Sequence, residues 1–277
     1  LLILLCLPMI GFGQQTYVPD DNFESYLEAN GMGDGIQLND SINTLSIEML
    51  IYLDVGNQNI SNLTGIKDFT ALIKLYCNDN QLTSLDVSNN TALTGLYCTR
   101  NPLTSLDVST NTALTDLACQ NNLLTKLDVS TNTGLQYLNC QENQLTNLDV
   151  SNNTALVYFF CSMNQLISLD LRNGNNNNML WWDSGSPIPG ISVSNNPYLN
   201  CINVDDSSYC NSNWLSEMDP QHYFSNNCSG TTDIEEHTTN KELIKITDIL
   251  GRETKQTNQP LFYIYNDGTV EKKITIE

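Results

Sequence analysis

Five cysteines recur at a spacing of 21 residues in the middle of the chain, and a regular column of thiols could bind a metal or form disulfides. They are Cys77, Cys98, Cys119, Cys140 and Cys161. On parallel strands such a column places its thiols in a line, whereas zinc requires four ligands that converge tetrahedrally. Parallel side-chain directions also disfavour disulfide geometry. We therefore predict free, buried thiols that act as small hydrophobic residues and are inert because they are buried.

Three further cysteines lie closer to the C-terminus, in a loop-rich segment. They are Cys201, Cys210 and Cys228. In an exported protein a disulfide here would stabilise the fold by about 2 to 4 kcal/mol. We predict a disulfide between Cys201 and Cys228 that leaves Cys210 free, and a bridge to Cys210 is the alternative.

A second column with the same spacing carries negative charge. Its members are Asp86, Asp107, Asp128, Asp149 and Asp170. Like charges about 5 Å apart repel, so each carboxylate must face water, accept local hydrogen bonds or share a cation. The sequence Asp-Val-Ser favours a turn in which the Asp accepts from the backbone N–H two residues later. The alternative is a calcium-binding edge, since calcium accepts carboxylate oxygens flexibly. Calcium is the only cofactor that we consider.

Other chemistry finds little support in the composition. The two histidines, His222 and His237, lie outside the repeated region, and no phosphate-binding loop or metalloprotease motif occurs. We therefore expect no enzyme activity. The 11 basic and 31 acidic residues give a net charge of −20, which argues against a nucleic-acid partner. No apolar stretch is long enough to predict a transmembrane helix.

The 21-residue period predicts the fold. Leucines at Leu72, Leu93 and Leu114 and asparagines at Asn80 and Asn101 repeat in register with the cysteines. A short strand and an apolar return per repeat can stack at about 4.8 Å into a parallel sheet with a continuous core. The fixed asparagines should hydrogen-bond backbone groups at the turn after the strand and form a ladder. This pattern resembles leucine-rich repeats of the short bacterial type over residues 42 to 204. The resemblance implies an α/β-class repeat solenoid, a right-handed parallel-sheet coil.

Binding in such a solenoid is expected on the concave face of the sheet, at the outward positions of each strand. These positions vary between repeats while the core columns stay fixed, and many are aromatic. The candidate partner-binding residues are Tyr52, Lys74, Tyr76, Tyr97, Arg100, Asp116, Tyr137, Asn139, Glu142, Tyr158 and Phe160. Exposed aromatic side chains can anchor a protein partner or stack on sugars. We expect a protein-binding or adhesion function, with a carbohydrate-binding module or a structural spacer as alternatives.

The repeats need a lid at each end. We expect an N-terminal cap with a short helix over 14–49, repeats over 50–171, and a last coil with a C-terminal cap over 172–228. The segments Tyr-Val-Pro-Asp-Asp-Asn-Phe at 17–23 and Cys-Ile-Asn-Val-Asp-Asp at 201–206 resemble the lids of exported flavobacterial leucine-rich-repeat proteins. Residues 229–241 have the composition of a linker.

The two ends of the chain suggest export. Residues 1–13 are apolar and end in small residues, as in a secretory signal peptide, and a lipid anchor on Cys6 is the alternative. In 242–277, an Asp248-x-x-Gly251-Arg252 turn and a terminal strand with Lys272 and Lys273 resemble the C-terminal sorting signal of the type IX secretion system of Bacteroidetes, on a small β-hairpin module. The resemblance implies that the type IX machinery is a partner and that the protein is secreted or on the cell surface, after crossing the periplasm and the outer membrane.

Overall fold

The computed structural model describes residues 14–183, 186–215, 218–228, 243–247, 253, 261–265 and 270–273. The chain forms two compact units that divide after Cys228. The predicted signal peptide at 1–13 and linker at 229–241 lie outside the described residues.

The described residues form short strands, two α-helices and three 3-10 turns. In chain order they are β1 Gln15–Tyr17, α1 Asp21–Ala29, β2 Ser41–Asn43, the 3-10 turn Thr44–Ser46, β3 Tyr52–Asp54, the 3-10 turn Ile66–Asp68, β4 Lys74–Tyr76, β5 Gly95–Tyr97, β6 Asp116–Ala118, β7 Tyr137–Asn139, β8 Asn147–Asp149, β9 Tyr158–Phe160, β10 Ser168–Asp170, the 3-10 turn Asn176–Asn178, β11 Leu180–Asp183, β12 Ser186–Pro189, β13 Ile191–Ser192, β14 Cys201–Asn203, α2 Ser207–Asn213, β15 Tyr223–Ser225, β16 Leu243–Thr247, β17 Leu261–Tyr265 and β18 Val270–Lys273.

The main sheet is parallel and follows the repeat. Its seven strands lie in the order β13-β9-β7-β6-β5-β4-β3. Neighbouring strands pair without slippage, so Leu53 lies beside Leu75, Leu75 beside Leu96 and Leu96 beside Leu117. The returning segments form a second parallel sheet, β15-β14-β10-β8. The predicted parallel-sheet solenoid is confirmed, and within the described residues the two α-helices belong to its ends.

The core lies between the two sheets and is built from repeated columns. In each coil the inward strand residue and the returning residues are buried, as with Leu75, Leu82 and Val87. Fully burying a leucine or valine contributes about 1.5 to 3 kcal/mol. Because each coil offers only a few such residues, a coil needs both neighbours to exclude water from its apolar faces.

The predicted asparagine ladder is present at the turn after each strand. Nδ2 of Asn101 donates to the carbonyl of Cys98 at 3.1 Å and to that of Cys77, one coil earlier, at 3.0 Å, while its Oδ1 accepts from the N–H of Leu82 at 3.0 Å. Asn122 makes the equivalent contacts one coil later. One amide therefore satisfies backbone groups of two coils that the turn would leave unpaired.

A second asparagine ladder, whose separate role was not predicted, occupies the opposite corner of the coil. Asn111 is fully buried, and its Nδ2 donates to the carbonyl of Val87 at 3.0 Å and to that of Asn90 at 2.9 Å. Asn132 and Asn153 repeat the arrangement. Both corners of the solenoid are thus tied to the preceding coil by side-chain amides.

The five cysteines of the column are free and buried, as predicted. Burial raises the pKa of their thiols, to about 12 for Cys98 and well above the ordinary value for Cys77 and Cys119. The thiolate is the reactive form of cysteine. The column is therefore part of the core.

The N-terminal lid is attached through one carboxylate. Oδ1 of Asp20 caps helix α1 by accepting from the N–H groups of Asn22 and Phe23, and Oδ2 accepts from Ser61 and Asn62 of the first coil. Partial burial raises the pKa of Asp20, but the hydrogen bonds outweigh this effect and hold the pKa below its ordinary value. The predicted capped helix is confirmed.

The C-terminal lid is closed by the predicted disulfide between Cys201 and Cys228, whose Cα atoms lie 5.8 Å apart. Cys210 is free and buried on helix α2, as predicted. Trp214 follows that helix, is fully buried, and packs edge-on against Phe224 with ring centroids 5.8 Å apart. The lid thus covers the last coil with aromatic side chains.

The second compact unit contains the predicted strands. β16, β17 and β18 form an antiparallel sheet in that order. The predicted hairpin corresponds to β17 and β18, and β16 adds a third strand. The predicted turn at Asp248, Gly251 and Arg252 lies outside the described residues, and the strand with the paired lysines is described over residues 270–273.

Replacing one ladder asparagine should destabilise the whole solenoid. Asn122→Ala leaves the N–H of Leu103 without a partner and removes one of the two side-chain donors from the carbonyls of Cys98 and Cys119. We therefore expect the free energy of unfolding to fall by about 1 to 3 kcal/mol. Urea unfolding followed by circular dichroism measures this change. Thr112→Ala, an exposed position of the neighbouring coil, is the control and should change stability by less than about 0.5 kcal/mol. Equal effects of the two substitutions would contradict the role of the ladder.

The buried thiols should not react in the folded protein. We expect N-ethylmaleimide to leave six cysteines unmodified in native buffer and to label all of them in denaturant. They are Cys77, Cys98, Cys119, Cys140, Cys161 and Cys210. Peptide mass mapping without reduction measures the labelling and should recover Cys201 linked to Cys228. Met163→Cys, at a position that is 53% exposed, is the control that should react at once. Native labelling of Cys119 would show that the coils open.

Candidate functional site

The candidate site is the outward surface of the seven-stranded sheet, here called the outer sheet face. Because strand residues alternate in direction, the first and third residue of each three-residue strand point away from the core. The register places these residues in two rows, so that Tyr52 lies beside Lys74, and Tyr76 lies beside Tyr97. The structure thus brings most of the predicted binding residues onto one continuous surface.

Three tyrosines form a stack at the N-terminal end of this face. The ring centroids of Tyr76 and Tyr97 are 4.3 Å apart and the rings are nearly parallel, at 5°. Tyr52 continues the series at 5.4 Å from Tyr76, with its ring tilted by 44°. Burial and the nearby carboxylate of Asp116 raise the pKa of Tyr97. In the stack, Tyr76 and Tyr97 each cover one face of the other ring.

Gly95 makes room for this stack. A Cβ at that position would lie 3.0 Å from the ring of Tyr97 and 3.4 Å from the side chain of Lys74. The ring of Tyr97 therefore lies over Gly95 of its own strand, at the position where the two adjacent coils carry Lys74 and Asp116. Glycine at this point of the first row is what allows the close stacking of Tyr97 on Tyr76.

A second aromatic group lies two coils further along. Tyr137 is 6.4 Å from Tyr158 and 6.0 Å from Phe160, with the rings tilted by 54° and 58°. Asn139 is almost buried, and its Nδ2 donates to the hydroxyl of Tyr137 at 3.3 Å. The sequence suggested that Asn139 contacts a partner, but in the structure its amide holds Tyr137 in place. Ala118 separates the two aromatic groups and is buried between them.

Charged residues flank the aromatic groups. Arg100 and Asp79 form an ion pair at 3.3 Å on the surface. The pKa of Asp79 is lowered, first by the hydrogen bond from Asn78 and then by Arg100. Glu142 is exposed, and Asp116 accepts from the hydroxyl of Thr115 at 2.7 Å.

One feature of this face did not follow from the sequence. The residue three positions after each strand lies in the left-handed region of backbone conformation, with φ between 52° and 58° in seven coils. These residues are Asn57, Asp79, Arg100, Asn121, Glu142, Met163 and Asn195. They form one margin of the outer sheet face, here called the left-handed margin. The signal that could have revealed it is the asparagine in three of the seven positions, since asparagine tolerates this conformation.

The acidic column lies on the returning segments, away from the outer sheet face, and its last two members, Asp149 and Asp170, belong to the second sheet. Oδ1 of Asp86 accepts from the N–H of Ser88 at 3.0 Å, and Asp107, Asp128 and Asp149 repeat this contact. The hydrogen bonds from Ser88 lower the pKa of Asp86. The predicted local turn is therefore present.

The last member of the column differs. Asp170 accepts from the N–H of Arg172 at 3.1 Å and from its Nε at 2.9 Å. A groove of about 680 Å³ runs beside Lys126, Asp128, Asp149 and Asp170. Within the described part of the chain, no three metal-binding side chains of the His, Cys, Asp and Glu types are grouped to hold a metal ion. Calcium binding by this column stays a hypothesis.

Among the described residues no helix is both long and apolar enough to cross a bilayer. One of the two histidines, His222, lies in the described part of the chain. It is buried in the C-terminal lid, where its Nδ1 accepts from the N–H of Asp219 at 3.2 Å. His237 lies outside the described residues. The geometry that is present suits binding over a broad surface.

Comparison with known proteins identifies relatives of the repeats. No family model matches the chain. Internalin J of Listeria monocytogenes serotype 4b strain F2365 is 39% identical over 74 residues, which are 27% of this chain and 8% of the relative. The solved functional domain of InlJ from Listeria monocytogenes, described as including a cysteine ladder, is 38% identical with a TM-score of 0.50.

The match to the InlJ domain covers 69% of this chain and 38% of that domain. An internalin, InlF, from Listeria monocytogenes strain 4b F2365 is 20% identical over 70% of this chain and 66% of its own, with a TM-score of 0.42. The chain thus spans well under half the length of internalin J and of its solved domain. The repeat register and the likeness to the InlJ domain together show that this chain has the leucine-rich-repeat fold.

Proposed function

We propose that the protein is a secreted or cell-surface binding protein without catalytic activity, which holds a protein partner on the outer sheet face. The main support is the contrast between fixed and variable positions. The inward residues Leu75, Leu96 and Leu117 repeat without change, whereas the outward residues beside them differ from coil to coil. A rigid sheet that displays varied side chains is suited to recognition.

The chemistry of this face favours a protein over a glycan. Sugars stack on the open faces of aromatic rings, but Tyr76 and Tyr97 cover one another at 4.3 Å. Ring edges and hydroxyl groups remain, and these suit the mixed polar and apolar surface of a protein, where tyrosine and arginine are enriched at contact centres. Tyr52, half exposed at the end of the stack, and the tilted rings of Tyr137 and Tyr158 are the candidates for sugar stacking that the glycan test below addresses.

Export is part of the proposal. The disulfide between Cys201 and Cys228 suits an oxidising compartment. The similarity to internalin J supports a scaffold for protein interaction or adhesion. We propose that the C-terminal unit, which contains β16 to β18, is read by type IX secretion machinery.

Two tyrosines of the outer sheet face provide the test. The full chain is immobilised and used to select peptides from a random phage-displayed library. The selected peptides are then tested for binding to Tyr76→Ala, to Tyr137→Ala and to the control variant Tyr198→Ala. Tyr198 is 63% exposed and lies outside the seven-stranded sheet. We expect peptides selected on the unmodified chain to bind Tyr198→Ala equally and to lose about tenfold or more in affinity for the other two variants, as for an interface hot spot.

The same proteins on a glycan array test the alternative. Glycan binding that is lost in Tyr76→Ala would support a carbohydrate-binding module instead. Failure to select any peptide, or peptides that bind all variants alike, would contradict the proposed function. Thermal unfolding of each variant shows whether the fold has survived the substitution.

A further inference from the structure

The left-handed margin is imposed by the stacking of coils. The N–H of Arg100 donates to the carbonyl of Gln120 in the next coil at 3.0 Å, and that of Glu142 donates to Ser162 at 3.0 Å. In six of the seven coils the next residue is the ladder asparagine, whose amide is fixed by three or more hydrogen bonds, as for Asn101. The backbone must therefore adopt this conformation whatever side chain the margin carries.

The side chains at the margin differ in how well they suit that conformation. Asparagine and aspartate tolerate positive φ, and they occur at Asn57, Asp79, Asn121 and Asn195. Arginine, glutamate and methionine suit it less, because they share the close contact between Cβ and the following carbonyl oxygen but lack the short polar side chain that can hydrogen-bond locally and offset it. They nevertheless occupy three of the seven positions.

The three unfavourable residues are exposed, so burial of their side chains does not offset the backbone strain. Met163 is 53% exposed, the side chain of Arg100 is 65% exposed, and Glu142 is exposed. An exposed ion pair such as that of Arg100 with Asp79 contributes little to stability. The fold would accept asparagine at these three positions. A residue type that strains the backbone there without being required by the fold is a mark of function.

Their placement points to the same conclusion. Arg100 shares a coil with Tyr97, Glu142 with Tyr137, and Met163 with Phe160. In contrast, Asn121 follows the strand that ends in Ala118, and Asn195 follows the strand that ends in Ser192. All three unfavourable residues therefore occur in coils with aromatic contact groups, three of the five such coils, since Asn57 and Asp79 share coils with Tyr52 and Tyr76. The two coils whose strands end in Ala118 and Ser192 both carry asparagine.

We propose that Arg100, Glu142 and Met163 are the specificity-determining residues of the outer sheet face. This inference rests on the proposed protein-binding function. Arg100 and Glu142 lie two coils apart, about 10 Å, which three residues of an extended segment would span. The fitting partner is thus an extended protein segment with an acidic residue toward Arg100 and a basic residue about three positions away toward Glu142, followed by an apolar residue over Met163.

Thermal unfolding tests the strain. Arg100→Asn, Glu142→Asn and Met163→Asn should each raise the Tm, by about 2 to 4 °C, because asparagine suits the left-handed backbone. Asn121→Met, the reverse change on the same margin, should lower it by a similar amount. An unchanged or lower Tm for all three asparagine variants would overturn the inference.

Selection of phage-displayed peptides tests the recognition. Peptides selected on the full chain should bind the triple asparagine variant about tenfold more weakly, although that variant is the more stable. Those peptides should carry acidic and basic residues about three apart, and Glu142→Lys should select peptides in which the basic residue is replaced by an acidic one.

The outcomes separate the two proposals. Peptides that depend on Tyr76 and Tyr137 but bind the triple variant with full affinity would overturn this inference and leave the proposed function standing. Peptides that depend on neither set would overturn both. Equal selection of acidic and basic peptides by Glu142→Lys would also contradict the assigned charge preference.

Discussion

The hydrogen bonds of the ladder asparagines are the interaction on which the rest of the structure depends. Asn143 donates to the carbonyls of Cys119 and Cys140 and accepts from the N–H of Leu124. A turn of 21 residues leaves these backbone groups inside the stack, where an unpaired group would cost about 1 to 3 kcal/mol. Because each amide joins neighbouring coils, it fixes the register of the strands and, with it, the rows of the outer sheet face.

This dependence on neighbours explains the construction of the two ends. A terminal coil lacks the partner that would satisfy its backbone and cover its apolar side, and a lid must provide both. At the N-terminus, the carboxylate of Asp20 joins a helix to the first coil. At the C-terminus, Trp214 covers the last coil while the Cys201–Cys228 disulfide limits how far the lid can separate.

The periodic part of this structure was predictable from sequence because its cause is local and repeated. The core columns, the first asparagine ladder, the buried thiols and the terminal disulfide follow from spacing and residue type. The position of Asn139 did not, since its burial and its hydrogen bond to the hydroxyl of Tyr137 depend on how neighbouring side chains pack. The second ladder at Asn111 was part of the repeat, but its role depends on the geometry of the corner.

The left-handed margin was hidden for a different reason. Arginine, glutamate and methionine give no sequence signal for positive φ, so Arg100, Glu142 and Met163 obscure the pattern that the asparagines suggest. Spacing therefore predicts the features that all repeats share. It fails at positions where one coil carries a residue type that does not suit the conformation of its backbone.

Such departures are informative in a solenoid because the other coils provide an internal reference. The same backbone position occurs in seven coils, with φ varying by only a few degrees, so differences in residue type cannot be attributed to differences in conformation. Where Met163 replaces the favoured asparagine and remains exposed, stability offers no reason for the choice. The proposed contact with a partner would provide the reason, and Met163 lies on the same face as the aromatic groups to which that contact is assigned.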